Sequence, residues 1–160
     1  MKKSLLITLT ILVTLPSFAQ RTKLKNVWEN NSKIGIGTKN PDQLLTVKGT
    51  IHAQEVLVDL EGVVAPDYVF ESYFEGTSES QPDYELKSLE DLGNYVAENH
   101  HLPRVPAAKE LEEEGLSLKK MSLILLEKIE ELTLYTLQQQ LEIEALKKEV
   151  EKLSEQAQEK

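Results

Sequence analysis

Residues 118–153 read LKKMSLILLEKIEELTLYTLQQQLEIEALKKEVEKL, and this stretch decides the fold. With heptad position d at Leu118, Leu125, Leu132, Gln139, Leu146 and Leu153, position a falls on Ser122, Ile129, Thr136, Ile143 and Val150. Apolar residues then recur every 3.5 residues. Such a stripe stays on one face only if helices supercoil left-handed around partners. Neither Pro nor Gly interrupts the run after Gly115. The expected oligomerisation set is Leu125, Ile129, Leu132, Thr136, Gln139, Ile143, Leu146, Val150 and Leu153. A single helix would leave that seam in water, so the chain is expected to partner itself.

The charges beside the seam favour a parallel arrangement. Glu142 at g and Lys147 at the following e attract across a parallel, in-register interface. One exposed pair contributes only about 0–1 kcal/mol, so it sets orientation more than strength. Ile, Ile and Val at a with Leu at d lean toward two strands. Thr136 and Gln139 interrupt the seam with polar groups, as a register or oligomer-state device does. A second stripe, Leu123, Leu126, Leu134, Leu137 and Leu141, lies off the seam and needs a third helix or the upstream segment to cover it. The competing reading is a long helix packed inside its own globular domain. It suits residues 118–137 better than 138–160, which nothing follows.

Working outward, 160 residues allow one modest domain with extensions. Residues 1–19 read as a signal peptide: Lys2 and Lys3, an apolar run over residues 5–15, then Ser17-Phe18-Ala19 as a cleavage site. Secretion is the expectation, to periplasm, cell surface or medium, with no membrane span. With no cysteine, neither a disulfide nor a lipidated cysteine is available. Removing Lys2 and Lys3 from a chain of net charge −9 leaves about −11. An acidic chain with no basic face is a poor nucleic-acid binder, since that affinity rests on cations meeting phosphates.

Residues 20–33 form a polar lead-in around Leu24, Val27 and Trp28. Ile34-Gly35-Ile36-Gly37 begins a β segment spanning 34–62. Leu45, Val47, Gly49, Ile51 and Ala53 alternate with polar residues, which predicts a half-buried strand. Val56 and Val58 continue on the opposite parity, implying a bulge near Gln54. The alternative for Ile34-Gly35-Ile36-Gly37-Thr38, a phosphate loop, lacks a third spaced glycine, a Gly-Lys-Ser/Thr and a following helix. Residues 63–117 read as a small α+β region. It has a turn at Gly62–Pro66, a short apolar piece Tyr68-Val69-Phe70, and a polar surface loop over 75–83. A helix from Ser88 to about 98 follows, with Asp91 in the capping-box position. Next come a proline-fixed extended segment through Pro103 and Pro106, and a short helix over 107–114 stopped by Gly115. The overall expectation is an α+β chain: short β segment, small mixed middle, and a coiled-coil helix over 118–160.

No constellation reaches the standard of a catalytic, cofactor or metal site. His100 and His101 are adjacent and lack companion ligands at metal spacing, and His52 reads as exposed. Ser78, Ser80, Ser88 and Lys87 cluster in sequence, which does not supply the geometry of a nucleophile and its base.

Certain runs carry a resemblance. They are Lys33-Ile34-Gly35-Ile36-Gly37-Thr38, Asn40-Pro41, residues 45–51 (LTVKGTI) and Ala53-Gln54-Glu55-Val56. Downstream they are Pro66-Asp67-Tyr68-Val69-Phe70-Glu71, Tyr84-Glu85-Leu86, Ser88-Leu89-Glu90, Asn99-His100-His101-Leu102-Pro103, Pro106, Lys109-Glu110 and residues 126–135. Together they resemble the secreted tail-fibre-like proteins of Bacteroidetes-type bacteria. More loosely, they are similar to the intramolecular-chaperone domain that ends phage tail fibres and endosialidases. The resemblance implies homotrimers in which β-structured stalk segments lead into a helical trimerisation end. In the self-cleaving chaperones a serine in a Ser-Asp step works with a lysine. Here that region holds Glu79-Ser80-Gln81-Pro82-Asp83, so no catalytic residue is carried over. The expected function is assembly within a surface fibre, without enzymatic activity or cofactor. The alternatives are a self-cleaving chaperone peptidase, cut between residues 73 and 88, and a trimeric binding module presenting the 70–82 loop to a glycan or protein.

Overall fold

The computed structural model describes residues 24–158, so the expected signal peptide lies outside the described residues. The chain is α+β and divides into two compact units between Val56 and Leu57.

The first unit is a three-stranded sheet: β1 (Val27–Asn30), β2 (Lys33–Ile36) and β3 (Leu45–Val47), in that spatial order. β1 and β2 form a tight antiparallel hairpin pairing Asn30 with Lys33 and Val27 with Ile36. Its two-residue turn, Asn31-Ser32, has both φ angles positive, at 50° and 60°. That matches the twist of the flanking strands. β3 runs parallel to β2, with Gly35 opposite Thr46. Residues 37–44 make that connection, far shorter than the helical crossover usual between parallel strands.

Two glycines allow the reversal. A Cβ on Gly35 would sit 2.2 Å from the Thr38 carbonyl oxygen. Gly37 has φ +76° and lies against the Lys48 carbonyl. The Ile-Gly-Ile-Gly run is therefore a strand and turn. The loop folds over one sheet face, held by Lys33 Nζ donating to the Asp42 carbonyl at 2.6 Å and Asn30 Nδ2 to that of Lys39 at 3.3 Å. Thr46 is the clasp. Its hydroxyl accepts from the Asp42 and Gln43 amides and donates to Asp42 Oδ1 at 2.7 Å. That bond holds the Asp42 carboxyl below its usual range.

Three expectations for this region are corrected. The lead-in is not merely polar, because it contains β1. The predicted strand over 45–53 stops at Val47, and residues 48–60 are exposed without strand pairing, so no bulge forms at Gln54. A strand needs a neighbour, and one chain supplies none beyond Val47. The burial parity is also reversed. Thr46 is buried while Leu45 is exposed, because the loop covers the Trp28-Gly35-Thr46 face.

The second unit holds α1 (Tyr68–Glu75), α2 (Leu89–Asn99), α3 (Ala108–Glu114) and α4 (Leu118–Gln158). α1 replaces the short apolar piece read from the sequence, and ends at Gly76 in the left-handed conformation. Ser88 caps α2 as its spacing predicts, its Oγ accepting from the Asp91 amide and donating to the Asp91 carboxylate. α3 stops at Gly115. α4 runs 41 residues, roughly 60 Å at 1.5 Å per residue. The core is Tyr68, Val69 and Leu134, with Phe70, Tyr84 and Leu86 packed against it.

Candidate assembly interface

α4 has two faces with different fates. Ile124, Glu127, Glu130, Leu134 and Tyr135 are buried against the elements upstream. Of the expected second stripe, Leu134 is buried and Leu123 half-buried, whereas Leu126, Leu137 and Leu141 stay exposed. The upstream segment thus covers part of that stripe, Leu123 and Leu134, and leaves Leu126, Leu137 and Leu141 open.

The buried face carries charge. Glu127 is 1% exposed, yet its side chain meets two cations: Arg104 Nη1 lies 2.7 Å from Oε2 and Lys128 Nζ 2.8 Å from Oε1. Tyr68 donates its hydroxyl to Glu127 and accepts from Arg104 at 3.0 Å. Lys128 also binds both oxygens of Glu131, which accepts from the Tyr84 hydroxyl at 3.1 Å. Tyr135 donates to the Lys87 carbonyl at 2.8 Å. Burial, reinforced by Glu127, pushes the Tyr68 hydroxyl up to about 12. Burial and then Glu131 push Tyr84 up as well. Burial is the largest influence on Arg104 and opposes its charge, but Glu127, Tyr68 and Glu131 together outweigh it and raise its pKa. The cluster therefore keeps the tyrosines protonated and Arg104 charged. It fastens the proline-flanked Arg104 turn (φ +65°) and α1 to one face of α4. Nothing in heptad spacing distinguishes Glu127 from a solvated glutamate; its partners come from 23 and 59 residues away.

The expected seam lies elsewhere. Leu125, Ile129, Leu132, Ile143, Leu146, Val150 and Leu153 are each 45–65% exposed, and Thr136 and Gln139 are exposed too. At ~100° per residue, the seam stands roughly 140° around the helix from the buried face. Every residue from Gln139 to Gln158 is exposed. Thr136 Oγ1 donates to the Leu132 carbonyl and Thr133 Oγ1 to that of Ile129, both at 2.8 Å.

A second apolar face belongs to the sheet. Strand alternation puts Val27, Ile34, Ile36, Leu45 and Val47 on the side opposite the covering loop. The first four are exposed, and no apolar side chain of the described part of this unit is buried.

The serines considered for nucleophilic chemistry are occupied otherwise. Ser78 is buried, donates to Glu71 and lies 2.9 Å from the Ser80 hydroxyl, while Ser88 caps α2. Among the described residues no hydrogen bond joins them to Lys87. His100 ends α2 in the left-handed conformation, and His101 packs edge-on against Tyr95 at 5.9 Å. Among the described residues no group of three His, Cys, Asp or Glu side chains could hold a metal ion, and no helix is long and apolar enough to cross a membrane. Compared with protein families, curated proteins and solved structures, the chain matches none.

Proposed function

We propose that this protein is a secreted, non-enzymatic structural module that assembles with copies of itself, as a parallel homotrimer, within a surface fibre. The observation that carries the reading is the separation of faces on α4. The intrachain core uses one side, and the heptad seam on the other remains uncovered. An isolated helical stretch without tertiary cover is marginal in water, so residues 138–158 need other copies. The open apolar sheet face supports the same reading, because a three-stranded sheet with no buried aliphatic residue lacks a core. Parallel orientation rests on Glu142 and Lys147, and the count of three on the tail-fibre-like resemblance.

Light scattering on the purified chain tests this. Three intact chains per particle are expected, and a single chain would overturn the reading. A discrete fragment cut between residues 73 and 88 would replace it with the self-cleaving alternative.

A binding role is favoured by one observation. Tyr73 and Phe74 end α1 as an edge-to-face pair with ring centroids 4.9 Å apart, and Phe74 is 69% exposed. In an assembly this pair is the surface presented to a glycan or protein. Glycan-array binding that Phe74→Ala abolishes without changing the particle mass would establish it.

A further inference from the structure

We propose that residues 57–60 of one copy form an arm that docks into a groove on the neighbouring copy. The inference rests on the self-assembly reading. Leu57 is 93% exposed, the most exposed large apolar side chain among the described residues, and Val58 and Leu60 are exposed beside it. Asp59 between them and Glu61 after them add negative charge. The segment makes no strand pair within its own chain. Docking an extended apolar segment on a second copy would cover it.

The groove is on the same unit. It encloses about 390 Å³, with Val63, Val64, Leu123 and Ile124 as apolar walls, Lys119 and Lys120 in its lining, and the Arg104–Glu127 ion pair neutralising itself beside them. Two lysines beside an apolar floor complement an arm of leucine, valine and acidic side chains, and such complementarity selects the partner and its register. The arm does not fill its own groove. A turn closed by the Val63 amide on the Leu60 carbonyl at 3.0 Å, with Gly62 at φ +75°, leads it off, and residues 57–60 do not line the cavity.

Height along the helix decides between copies. Lys119 Nζ donates to the Glu61 carbonyl at 3.1 Å, which ties the arm's base to the first turn of α4. The groove occupies residues 119–127 of that same helix. In a parallel, in-register assembly the neighbour's groove therefore stands level with the arm.

Because the chain has no cysteine, disulfide trapping is clean. Tagged Leu57→Cys chains and untagged Leu123→Cys chains are refolded together and oxidised, with helix content checked by circular dichroism. The expected product is a mixed, disulfide-linked pair. Lys120→Glu should lower its yield about 2- to 5-fold, the range of one exposed charge pair, and Asp59→Lys should restore it. Val64→Cys replaces Leu123→Cys should the latter fail to fold. The chain carrying both cysteines separates the outcomes. An oligomer that yields only intrachain disulfides overturns the arm while leaving the assembly standing. A single chain by light scattering overturns the assembly, and the arm with it.

Discussion

Two glutamates three residues apart on α4 have opposite consequences. Glu127 is buried with cations at both oxygens: Oε2 meets Arg104 and Tyr68, while Oε1 makes no hydrogen bond but lies 2.8 Å from Lys128 Nζ. Glu130 is buried with one carboxylate oxygen unpartnered, and burial, then Asp67 and Glu127, hold its carboxyl above the usual range. Glu127→Ala takes one carboxylate oxygen from half-buried Lys128 and the other from Arg104 and Tyr68, so we expect a loss of about 3 kcal/mol in urea unfolding. That is the low end for a broken buried pair, because half-exposed Arg104 can turn to water. Glu130→Gln should do the reverse. A raised folded pKa means the folded chain holds the proton more tightly than the unfolded one. Its stabilising contribution is then full below about pH 4, the unfolded value, and is lost as pH rises through the folded value. The variant should show a higher urea midpoint than the wild type at about pH 7, the gap closing toward about pH 4. Neither glutamate was legible as a core residue. Abundant carboxylates on a helix read as a solvated face, and only the fold brings Arg104 to Glu127.

At the scale of elements, legibility followed local chemistry. Ser88 starts α2 and Gly115 stops α3 as their residue types predict, because those signals act within a few residues. β1 and α1 escaped for the opposite reason. The β1–β2 hairpin turns on Asn31-Ser32 without the glycine that usually marks such a turn. The Tyr68-Val69-Phe70 run reads only as a short apolar piece and is helical where Tyr68 and Val69 pack against Leu134. The Gly35-Ile36-Gly37 reversal gives a sharp test. Gly35→Ala drives a Cβ into the Thr38 carbonyl and should cost more than Gly37→Ala, which carries the left-handed penalty and a softer clash. We expect about 1–2 kcal/mol for Gly37→Ala and 2 kcal/mol or more for Gly35→Ala. Trp28, the only tryptophan and paired across from Gly35, reports both by fluorescence.

For the whole molecule, the separation of faces on α4 predicts that assembly and folding come apart under mutation. Ile129→Asp with Leu146→Asp should reduce the particle to single chains while the Tyr68–Leu134 core survives, seen as retained near-ultraviolet dichroism. Gln139→Leu should act oppositely, adding about 1–2 kcal/mol per chain as a polar seam position becomes apolar. The heptad was legible because its period needs no tertiary information. The boundary at Tyr135 was not, because it depends on where Pro66, Tyr68 and Val69 come to rest. In the proposed assembly that boundary also divides one continuous helix into two kinds of equilibrium. Upstream of it, the intrachain core around Leu134 holds the helix at any dilution, although Leu125, Ile129 and Leu132 also face the seam. Downstream, closing requires an encounter between chains, so each tenfold dilution weakens it. Amide hydrogens beyond residue 138 should therefore exchange faster as the sample is diluted, while those near Leu134 keep their rate. The helix would shorten from its C-terminal end without a residue being changed.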